Sequence, residues 1–269
     1  MVVALTDPDP RVSGRGISQL EAAGIDVTTG VLEAQAYEAH RGFLSRIEAG
    51  RPVVTLKLAS SFDGQIATRS GDSQWITGLS ARRQTHAMRS QHDAVWVGAG
   101  TARADLPSLT ARDLGLRHQP VRIVTSRALD LPWKGPLAET AYDVPVWLFH
   151  GSEASAEARV FWQSAGARLF EVPLGENGLD LSAVLSTLGS AGLTRVFCEG
   201  GGQLGASLIA QDLVEQLVGF TAGAVIGGDG RAGIDGMGLD VLSDAPRYKL
   251  ARSRRLGGDV MHIWTRQTP

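Results

Sequence analysis

The chain has 269 residues, 26 Lys+Arg against 28 Asp+Glu, and a formal charge of −2. That balance excludes the basic footprint of a nucleic-acid binder and a polybasic membrane-docking surface. The single cysteine, Cys198, excludes an intrachain disulfide and any zinc site built on two thiolates, so no metal is expected.

Val2–Leu5 is a short apolar run closed by the Asp7-Pro8-Asp9-Pro10 cluster. Gly16–Ala23 carries Ile17, Leu20 and Ala23 at helical spacing, with Gly24 as a stop, and Ile25-Asp26-Val27 alternates as a strand would. Glu33–Glu48 is helical and leads to Gly50-Arg51-Pro52. A βαβ piece with a linker helix is too small to bury its own core.

From Pro52 the pattern is longer. Val53–Ala59 reads as a strand and Ser80–Gln91 as a helix, with Ser80 as its cap. Asp93–Val97, Val121–Thr125 and Val146–Phe149 are apolar runs suited to buried parallel strands. Glu153–Ala165 and Leu181–Ala191 have helical composition, Arg195–Cys198 is a strand, and a helix runs from Gln203 to about Gln211. The alternation predicts a mostly parallel sheet covered on both faces. Tyr248–Arg255 and Val260–Arg266 flank Gly257-Gly258, which predicts an antiparallel hairpin at one edge. No stretch reaches the roughly 18 apolar residues of a membrane helix. With no secretory signal either, the expected location is the cytoplasm.

Glycine is abundant, 33 of 269, and two strand ends use it. Val196–Cys198 runs into Glu199-Gly200-Gly201-Gly202-Gln203-Leu204-Gly205 and a helix. Such a turn lets backbone approach a phosphate at a helix N-terminus, although the position is wrong for the first βα turn of a Rossmann domain. A strand-to-helix turn with no ligand is the competing reading. Val95–Val97 runs similarly into Gly98-Ala99-Gly100-Thr101, where a plain turn and a site are equally good readings. Thr125-Ser126-Arg127 ends a third strand with a hydroxyl and a guanidinium suited to a 2′-phosphate, or with an ordinary solvated arginine. Lys57, inside an apolar strand, either snorkels to an edge or points into a cleft. No paired histidine–glutamate metal motif, nucleophile elbow or Walker A lysine occurs.

In order, Thr55–Gly64, Gly71–Thr77, Val97–Thr101 with Asp105, Pro107–Thr110 and Arg112, and Glu199–Gly202 resemble one family. It is the reductase domain of the bifunctional deaminase–reductases of riboflavin biosynthesis (RibD type). The resemblance covers residues 51–269, and residues 1–50 resemble the closing portion of the deaminase domain, as in a truncated form. It implies a dihydrofolate-reductase-like, three-layer αβα fold with a mostly parallel mixed sheet and a C-terminal antiparallel hairpin. It also implies NADPH-dependent reduction of 5-amino-6-(5-phosphoribosylamino)uracil at ribose C1′, and a homodimer.

Carried over by position, the NADPH contacts fall on Ala59, Trp75, Thr101, Asp105, Ser126, Gly201, Gly202, Gln203, Leu204, Gly205, Ala206 and Ser207. The substrate contacts fall on Ser73, Arg89, Leu109, Arg112 and Glu199, with Arg89 and Arg112 as a phosphate clamp and Glu199 accepting from pyrimidine N–H groups. Lys57 and Asp63 are the candidate proton donors. The deaminase half needs a zinc-binding histidine or cysteine set and a glutamate that are missing, so no deamination is expected. The competing readings are a nucleotide-binding chain of the same fold without turnover and a reductase of another pterin or pyrimidine.

Overall fold

The computed structural model describes residues 1–176 and 178–267. The chain divides into two compact units: Met1–Val53 with Leu185–Thr194, and Val54–Val184 with the chain from Arg195 on.

In the first unit β1 (Val2–Val3) pairs in parallel with β2 (Thr28–Thr29), on either side of α1 (Arg15–Ala22). The strand expected at Ile25–Val27 is displaced because Ile25 is used to close α1. Gly24 turns left-handed at φ 77°, and the Ile25 N–H donates to Leu20 O. α2 (Glu33–Glu48) falls where its periodicity placed it. Its last turn is tied down: Ser45 Oγ donates to Arg51 O, and Arg46 Nε to Gly189 O at 2.9 Å. Gly189 is obligatory there, since a Cβ would stand 2.1 Å from Gly50 O. Residues 1–50 therefore share their packing with 185–194, a distant segment that local pattern could not assign to them.

The second unit is α/β. Its strands are β3 (Val53–Ser60), β4 (Gln65–Ala67), β5 (Ala94–Gly98), β6 (Val121–Thr125), β7 (Val146–His150), β8 (Arg168–Glu171), β9 (Leu174–Gly175), β10 (Gly178–Leu179), β11 (Arg195–Cys198), β12 (Gln216–Thr221), β13 (Arg231–Ala232), β14 (Tyr248–Leu256) and β15 (Asp259–Arg266). Its helices include α3 (Leu79–Arg89), α4 (Ala99–Asp105), α5 (Pro136–Glu139), α6 (Ala156–Ser164) and α8 (Gly202–Ala210), while α7 (Leu181–Ser190) runs across the unit boundary.

Nine of the described strands form one sheet, ordered β14-β15-β12-β3-β11-β5-β6-β7-β8. β15 is antiparallel to both its neighbours, while β3 with β12 and the run from β11 to β8 pair in parallel. The hairpin expected at the C-terminus is present, with a shift of one residue at its tip.

Helices cover both faces. Lys57 pairs with Val218, which packs with Phe220, Ala81 and Met88, so α3 lies on the Lys57 face. Leu56 faces the other way and meets α8, its Cδ2 lying 3.5 Å from where a Gly205 Cβ would be. The first four residues of β3 are consequently buried on both faces.

Three local expectations are corrected. β12, central to the sheet, was not apparent because Gly219 interrupts it. The glycine is required by the opposite strand, where His262 Cε1 would be 2.0 Å from its Cβ. Ser80 does not cap α3: the helix begins at Leu79 after Gly78, whose N–H is satisfied by Asp259 Oδ2 at 2.7 Å. The glycine turn after β5 is itself helical, as α4.

Arg122 fixes the loop that follows α4. Its guanidinium is fully buried and donates to the carbonyls of Ser108, Pro136, Thr140 and Val144, without a carboxylate partner in that set. Burial lowers its pKa to about 10, so it remains charged.

Candidate active site

Glu199 is the first residue past β11, held by its N–H to Trp96 O of β5. Its carboxylate receives Arg89 from α3 in a fork, Nε to Oε1 at 2.5 Å and Nη2 to Oε2 at 3.1 Å. Lys57 Nζ approaches Oε2 to 3.8 Å from β3. All three side chains are largely buried, at 17% exposure for Lys57, 12% for Arg89 and 9% for Glu199. One carboxylate thus stands between two cations, leaving a net positive charge in a poorly hydrated place. Burial favours the neutral form of Glu199, but Arg89 and Lys57 outweigh it and hold the acid below the usual carboxylate range. Burial pushes the Lys57 ammonium down, with Arg89 adding to the effect and Glu199 and Asp105 resisting it. Asp105, at the end of α4, is raised by partial burial and lowered by Lys57, with a net rise.

The two glycine turns come together beside this cluster. Leu204 of α8 fills the space in front of both: a Cβ at Gly200 would meet its Cδ2 at 2.6 Å, and one at Gly98 its Cβ at 3.8 Å. A Cβ at Gly201 would lie 3.5 Å from Thr101 Oγ1. Gly201 caps α8 with extended backbone and no side-chain cap, so the first turn of the helix has no side-chain acceptor from that position. The glycines also answer to the protein itself. Gly202 faces Asp235 Oδ1, 2.6 Å from its would-be Cβ, and Gly205 faces Ile234 Cδ1 at 3.1 Å. Segment 232–235 therefore closes over α8, anchored by the Asp235 N–H on Gly202 O. Gly202→Ala is expected to push that segment away, costing about 1–3 kcal/mol of stability together with dinucleotide affinity. Thermal unfolding and a fluorescence titration with NADPH check both effects.

Several of the expected contact residues already hold partners within the protein. Arg89 is not free to clamp a phosphate: besides its fork on Glu199, its Nη1 donates to Thr110 O at 2.8 Å. Leu109 is 2% exposed and belongs to the hydrophobic core, so only its backbone, at φ 54°, can meet a ligand. Ser126 is buried and spends its hydroxyl on Asp130 Oδ1 at 2.7 Å, while the neighbouring Arg127 pairs with Glu153.

Asp63 does not suit proton donation. Its carboxylate accepts from Ser61 Oγ and from the N–H groups of Ile226 and Gly227, and these bonds hold its pKa at about 2. It is a loop tie. A folded-state pKa below the unfolded 3.8 stabilises the protein above that value and is lost as pH falls toward about 2. Asp63→Asn should flatten that part of the acid limb in a thermal-unfolding series, and an unaltered limb would remove the assignment.

The remaining expected positions are spread over β3, the loop before α3, the loop after α4 and α8. Ala59 lies two residues along β3 from Lys57, and Ser73 is half-buried before Trp75. Trp75 is 66% exposed, with the Arg82 guanidinium 4.5 Å over its ring. Gln203, Ala206 and Ser207 lie on the first two turns of α8, and Arg112 is exposed. His86 is the residue that sequence reasoning passed over: it sits at i−3 from Arg89 on α3 and touches both Thr110 and Arg112. The helical spacing of Arg82, His86 and Arg89 was the available signal.

A mixed, mostly parallel sheet with an antiparallel hairpin and a charged site at a strand end beside a glycine turn defines an α/β protein of the reductase-like architecture expected from the sequence. Residues 52–262 match the model of the RibD C-terminal domain. The riboflavin biosynthesis protein RibD of Bacillus amyloliquefaciens is 35% identical over 259 residues, covering 96% of this chain and 69% of that protein. The solved structure of Acinetobacter baumannii RibD superposes with a TM-score of 0.86 at 28% identity, covering 99% of this chain and 72% of the other. A Thermotoga maritima structure described as a diaminohydroxyphosphoribosylaminopyrimidine deaminase/5-amino-6-(5-phosphoribosylamino)uracil reductase gives 0.82 at 28% identity, covering 99% and 71%. The chain belongs to the RibD C-terminal domain family.

Proposed function

We propose that the chain reduces 5-amino-6-(5-phosphoribosylamino)uracil to its ribitylamino product with NADPH, as a step of riboflavin biosynthesis. The observation that carries this reading is the Lys57–Glu199–Arg89 cluster at a parallel strand end, next to the paired glycine turns. Family membership supports pyrimidine reduction. The nicotinamide dinucleotide is assigned to the turn where Gly201 presents no side chain beside Thr101 and α8 presents its N-terminus, and the choice of NADPH follows from the family resemblance.

Bound NADPH would supply the hydride. The protein's residues bind, orient and exclude water. Glu199, kept ionised, accepts from pyrimidine N–H groups while Arg89 fixes its plane. Arg112, exposed, receives the phosphate. Lys57, its ammonium made more acidic by burial, donates a proton as the ribose ring opens. Trp75 with Arg82 walls one side.

We also propose that these residues do not deaminate, because a zinc deaminase needs two cysteines and this chain has only Cys198, whose buried thiol is raised to about 12. Residues 1–50 are read as the closing part of a deaminase domain, and the exposed strand β14 as the edge along which two copies would pair. Among the described residues no helix is long and apolar enough to cross a membrane, and a cytoplasmic location is part of the proposal.

NADPH oxidation measured with the phosphoribosylaminouracil is the test. Turnover supports the reading. NADPH binding without turnover would leave only a nucleotide-binding chain, and turnover of a pterin alone would move the substrate.

A further inference from the structure

His86 has no part in the reaction as proposed, yet it occupies a specific place. It is half-buried on α3, its Nδ1 3.2 Å from Thr110 O and its Nε2 3.5 Å from Arg112 Nη2. Nδ1 faces two groups at 3.2 Å, Thr110 O and the Arg112 backbone N–H. When it carries the proton it donates to Thr110 O, gives up the bond from Arg112 N–H, and leaves Nε2 as the free nitrogen. That lone pair can accept from Arg112 Nη2 at 3.5 Å. Two nitrogens 3.5 Å apart can also both reach a single oxygen atom at about 2.8 Å.

The charges around the ring favour the neutral form. Burial lowers its pKa first, then Arg89 on the same helix and Arg112 on the facing loop, with Thr110 O and Glu199 pulling the other way. A lysine or arginine at this position would add a third fixed cation to the two arginines. Imidazole can instead be neutral when the site is empty and cationic when an anion arrives.

We propose that His86 is a proton-gated ligand of the substrate's phosphate, sharing one phosphate oxygen with Arg112 and taking up a proton from solvent as the dianion binds. This rests on the reading that Arg112 receives the phosphate. It makes affinity for phosphorylated substrate fall as pH rises above about 7, where the phosphate itself is already dianionic.

The test follows the His86 ring by NMR, assigned by its loss in His86→Gln, with and without saturating ribose 5-phosphate. The titration midpoint is expected to rise by at least about one unit, a tenfold preference for the protonated ring. In steady-state kinetics His86→Gln should raise KM for the phosphorylated substrate roughly five- to tenfold, lower kcat less than twofold, and leave KM for the dephosphorylated analogue where it was. In an enzyme that turns over, a midpoint unmoved by ribose 5-phosphate, or an equal KM effect without the phosphate, overturns the role of His86 and leaves the reductase reading standing. A midpoint that rises in a protein without turnover keeps the anion site and removes the reductase reading.

Discussion

Lys57→Ala is expected to lower kcat by at least about 100-fold, within the range a positioned proton donor contributes. The dissociation constant for NADPH should change by less than about threefold, because the glycine turn and α8, not Lys57, are assigned to the dinucleotide. The physical reason is the ammonium's position. It lies on β3 just past the four buried residues, itself only 17% exposed, so burial makes the proton easier to give up, while Glu199 at 3.8 Å keeps the group in place. Lys57→Arg should not rescue, since a guanidinium stays protonated and cannot serve as the acid. Single-turnover measurement of NADPH oxidation separates the chemical step from binding. Turnover at the wild-type rate in Lys57→Ala would remove Lys57 from the mechanism and leave Asp105, whose carboxyl is raised by partial burial, as the next candidate acid.

Glu199→Gln is expected to damage both stability and activity. The substitution preserves shape but leaves Lys57 and Arg89 buried together with no carboxylate between them. Breaking a buried charge cluster by removing one partner costs about 3 kcal/mol or more, which for a protein of this size lowers Tm by roughly 6–12 °C. The Lys57 ammonium, deprived of its counter-charge, should deprotonate at lower pH. The variant is therefore expected to lose stability further as pH falls, because protonating Lys57 then charges an unpaired buried site. Calorimetry at two pH values reads both effects. A Tm within about 2 °C of wild type would mean that water reaches these cations freely, and the buried-cluster account would fail.

The second unit's parallel core was readable in sequence because buried parallel strands are short apolar runs. β6 and β11 fall at the expected residues, β7 runs one residue further at its end, and β5 is shifted by one residue at both ends. β12 was hidden, since Gly219 exists to admit a histidine from another strand, and local pattern carries no information about a partner forty residues away. Ile25–Val27 failed for a related reason: the backbone bond that closes α1 claimed the first residue of an otherwise plausible strand.

At the site, residue types were legible and pairings were not. Lys57 was conspicuous as a charge within an apolar strand, and Glu199 as the residue before three glycines. Nothing local shows that Arg89 is committed to Glu199 instead of a phosphate, that Asp63 ties a loop, or that His86 stands against Arg112. Each depends on chain separations from 26 to 164 residues closing to hydrogen-bond distance.

The composition that excluded nucleic acid, disulfides and a thiolate zinc site needed no structure, because charge balance and one cysteine are properties of the list of residues. The surplus of glycine was likewise countable at once, but its purpose was not. Sequence alone determined that two strands end in glycine turns. The tertiary structure decided that both turns make way for the same leucine, Leu204, and that segment 232–235 closes over the second, because steric room is set by whatever the fold brings opposite a missing Cβ.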